Sequence, residues 1–470
     1  MGIGMHRTFL AQQIAVSRRV KRSLKKSSSL MMPDERPQEA LPWDGGVQAS
    51  TDLKDYWYVV STTAELSADR PHSVRLLGEP LALFRDAGGV ARAFSDRCPH
   101  KSVKLSDGRL KNGTLECFYH GWRFDSESGA IAHVPSLPQD CALPKQCVKT
   151  FPCVEKDELI WVYPGNLADA DPAKIPTKPV KTDYRQRGYW RVETMIDLPC
   201  DHSFFVENLM DMAHTPWAHD GVFNMRSDAM PLVPKWYMTP TGMYGFLEEY
   251  RTHGQLKTLS FEWLAPCNNE ISVRKKGESW HAHLFFYNTP TAPGQMRHTF
   301  VVYRNVDRFL QYIPKCLQPP FELFIIHGDT VAMLSQARNM REGCPHITVA
   351  TPSDEMAIKY RKWYSKAFVE KAPWWRGWDG KLDIEDLATS AMETCLPQFG
   401  RGVYERAAAS TNSSTNAEHI VTMWKVQRRH RKPLGFEQPS SLPLAMVLGL
   451  AGLGLGIGLS AGFLAAKRHP

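Results

Sequence analysis

Runs of aromatic and β-branched residues at 56–60, 81–84, 89–94, 131–134 and 159–163 are separated by Gly, Asp and Pro turns. Short strands at that spacing predict a small all-β domain over residues 55–165. A second set of strand-like segments follows at 189–195, 243–250, 257–263, 281–287 and 298–303. Their short connections predict an antiparallel sheet. Apolar positions then change to helical spacing at 321–336 and 353–371. The fold class expected is α+β: an N-terminal all-β domain, then a domain over 186–400 with an antiparallel sheet and helices. Pro-rich residues 165–185 read as a linker, as do residues 34–54, and residues 401–441 read as a basic linker.

Both ends of the chain depart from this globular pattern. The run 444–466 is uncharged and rich in Leu, Ala and Gly, which predicts one transmembrane helix over residues 442–466. Arg428, Arg429, Arg431 and Lys432 precede it, and Lys467 and Arg468 follow. The heavier basic flank puts the body on the cytoplasmic or stromal side. Gly452, Gly454, Gly456, Gly458 and Gly462 continue this apolar helix and read as small-residue helix packing rather than a nucleotide loop. Residues 1–33 are basic, contain Ser and lack acids, the pattern of an organelle transit peptide, with a disordered basic tail as the alternative.

Composition changes little in this picture. With 43% hydrophobic and 23% charged residues the chain is globular, and its 14 Trp imply sizeable cores. The net charge of +8 comes mainly from Arg7, Arg18, Arg19, Lys21, Arg22, Lys25 and Lys26. The rest is near neutral, so no nucleic-acid partner is implied. Of the ten Cys, eight are scattered without an even framework and read as buried free thiols in a reducing compartment.

The remaining two Cys carry chemistry. Cys98-x-His100 and Cys117-x-x-His120 form two short loops, each offering one thiolate and one imidazole. A Rieske [2Fe–2S] centre needs two Cys on one iron and two His on the other. A Cys2His2 zinc site uses the same ligand types, but usually pairs Cys with Cys and His with His in its loops. Farther along, residues 201–221 place Glu207, Asp211 and His214 at i, i+4 and i+7 on one helix face. Pro216 interrupts that helix and can turn His219 back toward His214. Two His plus one distant carboxylate make the facial triad of non-haem Fe(II) oxygenases, with positions left for dioxygen. Asp329, in the helical stretch after the sheet, is the candidate third ligand, and a plain helix acid is the alternative. Asp211, one turn before His214, can accept a hydrogen bond from its second ring nitrogen and fix its tautomer. With no flavin, nicotinamide or plant-type ferredoxin motif, the electrons must come from an external donor.

These residues resemble Rieske-type non-haem iron oxygenases over roughly 55–400. Within them the chain looks closest to the plant and algal pheophorbide a oxygenase branch, which includes chlorophyllide a oxygenase and the Rieske protein of the chloroplast inner-envelope translocon. The resemblance rests on Asp211-x-x-His214-x-Pro216-x-x-His219-x-Gly221, the GDTVAMLSQ segment at 328–336 and the apolar C-terminal run. It implies cluster ligands at Cys98, His100, Cys117 and His120, and Fe2+ ligands at His214, His219 and Asp329. It also implies that Asp211 bridges a cluster histidine of a neighbouring subunit to an iron ligand in a homotrimer. The implied activity is a membrane-anchored chloroplast monooxygenase, its body facing the stroma. Its co-substrates would be O2 and ferredoxin-supplied electrons, and its substrate a hydrophobic ring such as a chlorophyll-derived tetrapyrrole. Alternatives are a sterol or lipid oxygenase or desaturase, and a non-catalytic redox component of a chloroplast translocon. Lys101 stands where the family usually has Arg, and no C-x-x-C pair precedes the apolar run. Val103 stands where electron-carrier Rieske proteins have an extra Cys, which argues against that class.

Overall fold

Three small antiparallel sheets build the N-terminal domain. Tyr58–Thr62 and Leu159–Val162, the domain's first and last strands, pair with each other, and Cys153–Lys156 completes their sheet. A second sheet joins His72–Leu76, Glu79–Arg85, Ala91–Ser95 and Thr150–Phe151. The third joins Arg109–Lys111, Thr114–Glu116, Arg123–Phe124 and Ile131–His133. Ala82, Phe84, Phe94, Leu105, Leu115, Phe124 and Ile131 fill one core, and Cys98 and Cys117 lie within it.

In this computed structural model residues 49–198, 200–221, 224–275, 280–306 and 319–372 are described. The expected transit peptide, the basic linker and the apolar run ending at 466 lie outside them. Among the described residues no helix is long and apolar enough to cross a membrane.

The second domain is one seven-stranded antiparallel sheet. Its order is Trp190–Leu198, Gln295–Arg304, Trp280–Ala292, Asn268–Lys275, Gln255–Leu264, Gly242–Thr252 and Lys235–Thr239. Helices α2 (His202–Asn208), α3 (Thr215–Ala218), α4 (Pro319–Arg341) and α5 (Glu355–Tyr364) accompany the sheet, following α1 (Pro179–Thr182). The α+β expectation therefore describes the architecture. Hydrophobic pattern missed Asn268–Lys275, because Asn268, Asn269 and Glu270 are polar yet buried. Hydrogen bonds make that burial tolerable: Asn288 Nδ2 donates to Asn269 Oδ1 at 3.2 Å, and Asn269 Nδ2 to the Val206 carbonyl at 3.3 Å.

Residues 165–185, expected as a linker, form a packed strap instead. Ile175, Val180 and Tyr184 are buried against Trp57, Val59, Trp161 and Tyr163 of the first domain and Phe285, Tyr287, Val301 and Tyr303 of the sheet. Lys178 reaches Glu262 at 2.9 Å and Glu270 at 2.8 Å on the sheet. A second tie lies at the other end of Tyr58–Thr62. Thr289 Oγ1 donates to the Val59 carbonyl at 2.6 Å and Arg297 Nη1 to the Val60 carbonyl at 2.8 Å. Asp197 holds Arg297 bidentately, at 2.7 and 2.8 Å. A paired guanidinium of this kind is directional, so the strand and the sheet share one fixed register.

The scattered cysteines differ in their surroundings. Cys200 and Cys267 are buried, as expected of free thiols, but Cys141, Cys147 and Cys344 are exposed. These three sit in loops, which lie on the surface because their backbone groups need water.

Candidate metal centres

Two turns of the same construction form the tip of the third small sheet. The Cys98 N–H donates to the Val103 carbonyl at 2.9 Å, and the Ser102 N–H to the Cys98 carbonyl at 2.8 Å. Nineteen residues later the pattern repeats: Cys117 N–H to the Trp122 carbonyl at 2.9 Å, and Gly121 N–H to the Cys117 carbonyl at 3.0 Å. Each turn needs a left-handed residue four places after its Cys, supplied by Ser102 at φ 56 and Gly121 at φ 70. This geometry points both thiols into the core and leaves both imidazoles exposed. The His100 and His120 rings lie 4.5 Å apart, and Trp122 stacks on His100 at 4.4 Å.

Burial dominates the electrostatics of the Cys98 thiol at this tip. Burial, with Cys117 beside it, pushes the Cys98 thiol up to about 11. The backbone N–H groups of His100 and Lys101 act in the opposite sense, which favours a negatively charged sulfur. Slight desolvation and the neighbouring His100 and Lys101 charges lower the His120 pKa, favouring the neutral ring that a ligand requires. Two sulfurs and two imidazoles converging here fit a [2Fe–2S] cluster.

The second centre is assembled from distant elements. Asp201 caps α2, accepting from the Ser203 N–H at 2.9 Å. That helix ends at Asn208, where its last bonds tighten (Met210 N–H to the Glu207 carbonyl and Asp211 N–H to the Asn208 carbonyl, both at 3.0 Å), and the Asp211 carboxylate then accepts from the Ala213 N–H at 2.8 Å. Glu207, Asp211 and His214 therefore do not share a helix face. Glu207 turns to His346, at 2.7 Å, and to Arg361. Helix α3 is one turn with Pro216 near its start, and His214 and His219 flank it with ring centroids 5.2 Å apart. The interruption lies earlier than the one expected at Pro216, between Asn208 and Thr215, and Pro216 opens the next turn instead; the two rings still come together.

Helix α4 completes the cluster. Ile326, Met333, Leu334 and Ala337 form its buried stripe, and Asp329 and Thr330 lie among them, also buried. Asp329 Oδ1 lies 3.3 Å from His214 Nε2 and 3.1 Å from His219 Nε2. Donor atoms of the three residues all lie within 4.8 Å of one another. Burial would raise the Asp329 pKa, but the two imidazoles hold it well below the usual carboxylate range. Burial likewise opposes charge on His214, yet Asp211 and Asp329 push its pKa up to about 10. This buried cluster attracts positive charge, and its two imidazoles and one carboxylate fit a divalent metal ion.

Comparison with known proteins agrees with both centres. Residues 56–152 match the Rieske [2Fe–2S] domain. The chain is 30% identical over 334 residues to Protein TIC 55, chloroplastic, of Arabidopsis thaliana, covering 68% of this chain and 60% of that one. It is 28% identical to chlorophyllide a oxygenase of Chlamydomonas reinhardtii, covering 72% of this chain and 52% of that one. Pheophorbide a oxygenase of Oryza sativa subsp. japonica is 27% identical, with coverages of 73% and 70%. Among solved structures, dicamba monooxygenase bound to dicamba superposes with a TM-score of 0.58 at 25% identity, covering 69% of this chain and all of that one. Residues 56–152 are a Rieske [2Fe–2S] domain, and over about two thirds of its length the chain is similar to Rieske non-haem iron oxygenases. It spans less than two thirds of the TIC 55 and chlorophyllide a oxygenase chains it matches.

Two residues of the inner site escaped sequence reasoning. Asn208 Nδ2 donates to Asp329 Oδ1 at 3.1 Å and lies 3.4 Å from His214 Nε2. Nothing in its local sequence marks it. Gly328 lets α4 approach α3: a Cβ there would stand 2.8 Å from the Ala218 carbonyl oxygen and 3.3 Å from His219 Nδ1. A glycine inside an apolar helical run was the available signal. One expectation is refined as well. The group that accepts from His214 Nδ1 is the Asp211 backbone carbonyl, at 2.5 Å, while the Asp211 carboxylate lies 3.8 Å away.

Proposed function

We propose that this chain is a monooxygenase that uses O2 and electrons from ferredoxin or a similar external donor on a hydrophobic ring substrate of the chlorophyll-derived tetrapyrrole class. The observation that carries this reading is the buried His214–His219–Asp329 cluster in the same chain as the Cys98, His100, Cys117 and His120 tip. In this reading the tip residues hold the [2Fe–2S] cluster, and His214, His219 and Asp329 hold Fe2+. When bound, the cluster supplies electrons one at a time and the iron supplies the site of dioxygen activation. The protein's part is orientation. The Asp211 carbonyl accepts from His214 Nδ1, which would leave Nε2, the nitrogen that faces Asp329, as the one to bind the metal. Asn208 holds the Asp329 carboxylate by donating to its Oδ1, and buried Phe205, Val206 and Ile326 exclude water from the same helices.

The tetrapyrrole class is supported by similarity to chlorophyllide a oxygenase and pheophorbide a oxygenase. Purified holoprotein with ferredoxin and its reductase is offered pheophorbide, chlorophyllide or a sterol, with products read by mass spectrometry. The expected result is incorporation of one oxygen atom into a tetrapyrrole. Oxidation of the sterol alone moves the assignment to lipids, and no oxygenated product from any ring removes the enzymatic reading. Similarity to TIC 55 favours a second reading, a non-catalytic redox component of a chloroplast translocon. That reading requires O2 uptake to be independent of substrate.

The chloroplast names of these relatives support a chloroplast location. The run at 442–466 then serves as a single C-terminal membrane anchor with the body facing the stroma. We assign Asp211 a transfer role across the subunit boundary of a homotrimer. Its carboxylate is about one third exposed, at 32%, although it borders a buried cluster, so a neighbour's His100 or His120 can reach it. Replacing Asp211 with Asn keeps the shape and removes the charge. Both metal sites are expected to stay filled while electron transfer from cluster to iron slows by orders of magnitude. A wild-type rate of cluster oxidation in Asp211→Asn removes this role.

A further inference from the structure

Tyr250 lies on strand Gly242–Thr252, remote in sequence from every candidate ligand. The strand is buried or half-buried from Gly242 to Leu247, then exposes Glu248 and Glu249 together before burying Tyr250 and Thr252. Its pairing with Gln255–Leu264 shifts register between Leu247 and Tyr250. Such a bulge re-aims side chains. Here it reverses the parity of the strand and sends Tyr250 to the same face as Leu247. Both are nearly fully buried, at 3% and 4% exposure.

The hydroxyl that the bulge delivers meets the two backbone segments that carry the histidines. Tyr250 OH lies 2.5 Å from Thr215 Oγ1 and accepts from Asn224 Nδ2 at 2.8 Å. Thr215 follows His214 directly and opens α3. Asn224 closes the chain just after His219: its N–H donates to the His219 carbonyl at 3.2 Å, and its carbonyl accepts from the Gly221 N–H at 2.8 Å. Thr215 is 5% exposed and Asn224 fully buried.

Proton accounting assigns a direction to each bond in this knot. The Thr215 hydroxyl spends its one proton on the Met212 carbonyl, at 3.0 Å. In the short contact, therefore, Tyr250 donates and Thr215 accepts. Asn224 Oδ1 accepts from the Met225 N–H at 2.9 Å, which leaves Nδ2 to donate to Tyr250. The phenol thus gives one bond to the His214 side of the turn and takes one from the His219 side. With these directions Thr215, Tyr250 and Asn224 all have partners, and Asn224 Nδ2 also lies 3.4 Å from Thr215 Oγ1.

We infer that Tyr250 is a positioning residue that sets the spacing of His214 and His219, and so the metal affinity of the inner site, through Thr215 and Asn224. This rests on the reading of that site as a metal centre. Free energy enters through preorganisation: a fixed ligand pair loses less conformational entropy on binding than a mobile one. Partners beyond the ligands typically contribute 10–100-fold in metal affinity.

The test uses full-length protein with its cluster intact and the inner site freed of metal, titrated with Co(II) by calorimetry. Tyr250→Phe removes the donated proton and the acceptor oxygen while keeping the ring, and Thr215→Val removes the other end of the bond. Each is expected to raise the Co(II) Kd about 10–100-fold. The double variant is expected to raise the Kd by less than the product of the two single effects, because both changes delete the shared Tyr250–Thr215 contact while each also removes one contact of its own. Cluster absorption should be unchanged throughout. A Kd within about twofold of the parent's in both single variants, with only Tm lowered, makes Tyr250 a plain packing residue and overturns the inference. If Tyr250→Phe does not fold, Thr215→Val decides alone by the same criterion. A parent protein that binds no Co(II) overturns the inference and the site reading together, whereas normal parent binding with unaffected variants overturns the inference only.

Discussion

The outer tip draws all four of its donors from two neighbouring turns, while the inner site draws two from either end of one helical turn and the third from a helix far along the chain. At the tip, a repeated backbone pattern with a left-handed residue four places after each Cys settles where the side chains go. At the inner site no local rule suffices. Its geometry depends on a broken helix, a close helix approach at Gly328 and hydrogen bonds from Asn208 and Tyr250. Local geometry therefore defines one centre and tertiary packing the other. Substitutions far from the donors should disturb the second much more than the first.

The largest separation of the two centres comes from removing one donor at each. Cys98→Ser is expected to abolish the cluster's visible absorption and leave metal binding at the inner site intact. His214→Ala should do the reverse: turnover is lost and the cluster absorption stays. Metal analysis with absorption spectra reads both, and loss of both metals in either variant would show that the sites are not independent.

Acid should act on the second domain through its interior histidines. Burial lowers the pKa of His202 and of His298 to about 4 each, with only partial compensation from Asp201 and Asp329 respectively. Their folded pKa values lie below the unfolded value of roughly 6.5, so the unfolded chain binds more protons between those limits. Stability is then full above about 6.5 and falls as pH drops toward about 4, by roughly 3 kcal/mol for each histidine. Urea midpoints at intervals from pH 7 to 4 check this. A His298→Asn variant whose midpoint falls as steeply as the parent's, with His202→Asn also unchanged, would rule these groups out as the cause.

The two glycines offer a finer contrast. At Gly328 a methyl group would press on the Ala218 carbonyl at 2.8 Å and crowd His219, so Gly328→Ala should cost about 1–3 kcal/mol and weaken metal binding at the inner site. At Gly121, with φ +70, Ala is strained by the backbone alone and should cost about 1–2 kcal/mol, confined to the tip. Thermal melts followed by cluster absorption and by far-UV dichroism distinguish them. Equal effects on both probes from both variants would contradict the separation into a local and a tertiary centre.

The same contrast explains what the sequence could disclose. Cys98, His100, Cys117 and His120 were legible because their loops are short and the donor types alternate. His214, His219 and Asp329 were legible only as candidates, since nothing in one dimension brings a helix at 319–341 against α3. The shared face of Glu207, Asp211 and His214 was misread because helical spacing was assumed through Asp211, whereas the helix ends at Asn208 and Asp211 bonds locally to Ala213. Strand Asn268–Lys275 was hidden by its buried polar residues, and the 165–185 strap by its prolines. Proline shows where regular structure stops and does not show whether a segment packs. The register shift that turns Tyr250 inward left no trace in apolar alternation, because two adjacent Glu mark a loop as readily as a bulge.

Single-turnover oxidation of the reduced cluster tests most directly whether the two centres work as one oxygenase. Holoprotein is reduced, freed of donor and mixed with O2, with and without the proposed tetrapyrrole, while cluster absorption and product are followed together. The account requires cluster oxidation to be fast only when substrate is present, with oxygenated product formed in step. Cluster oxidation at the same rate without substrate, and no product, would contradict it.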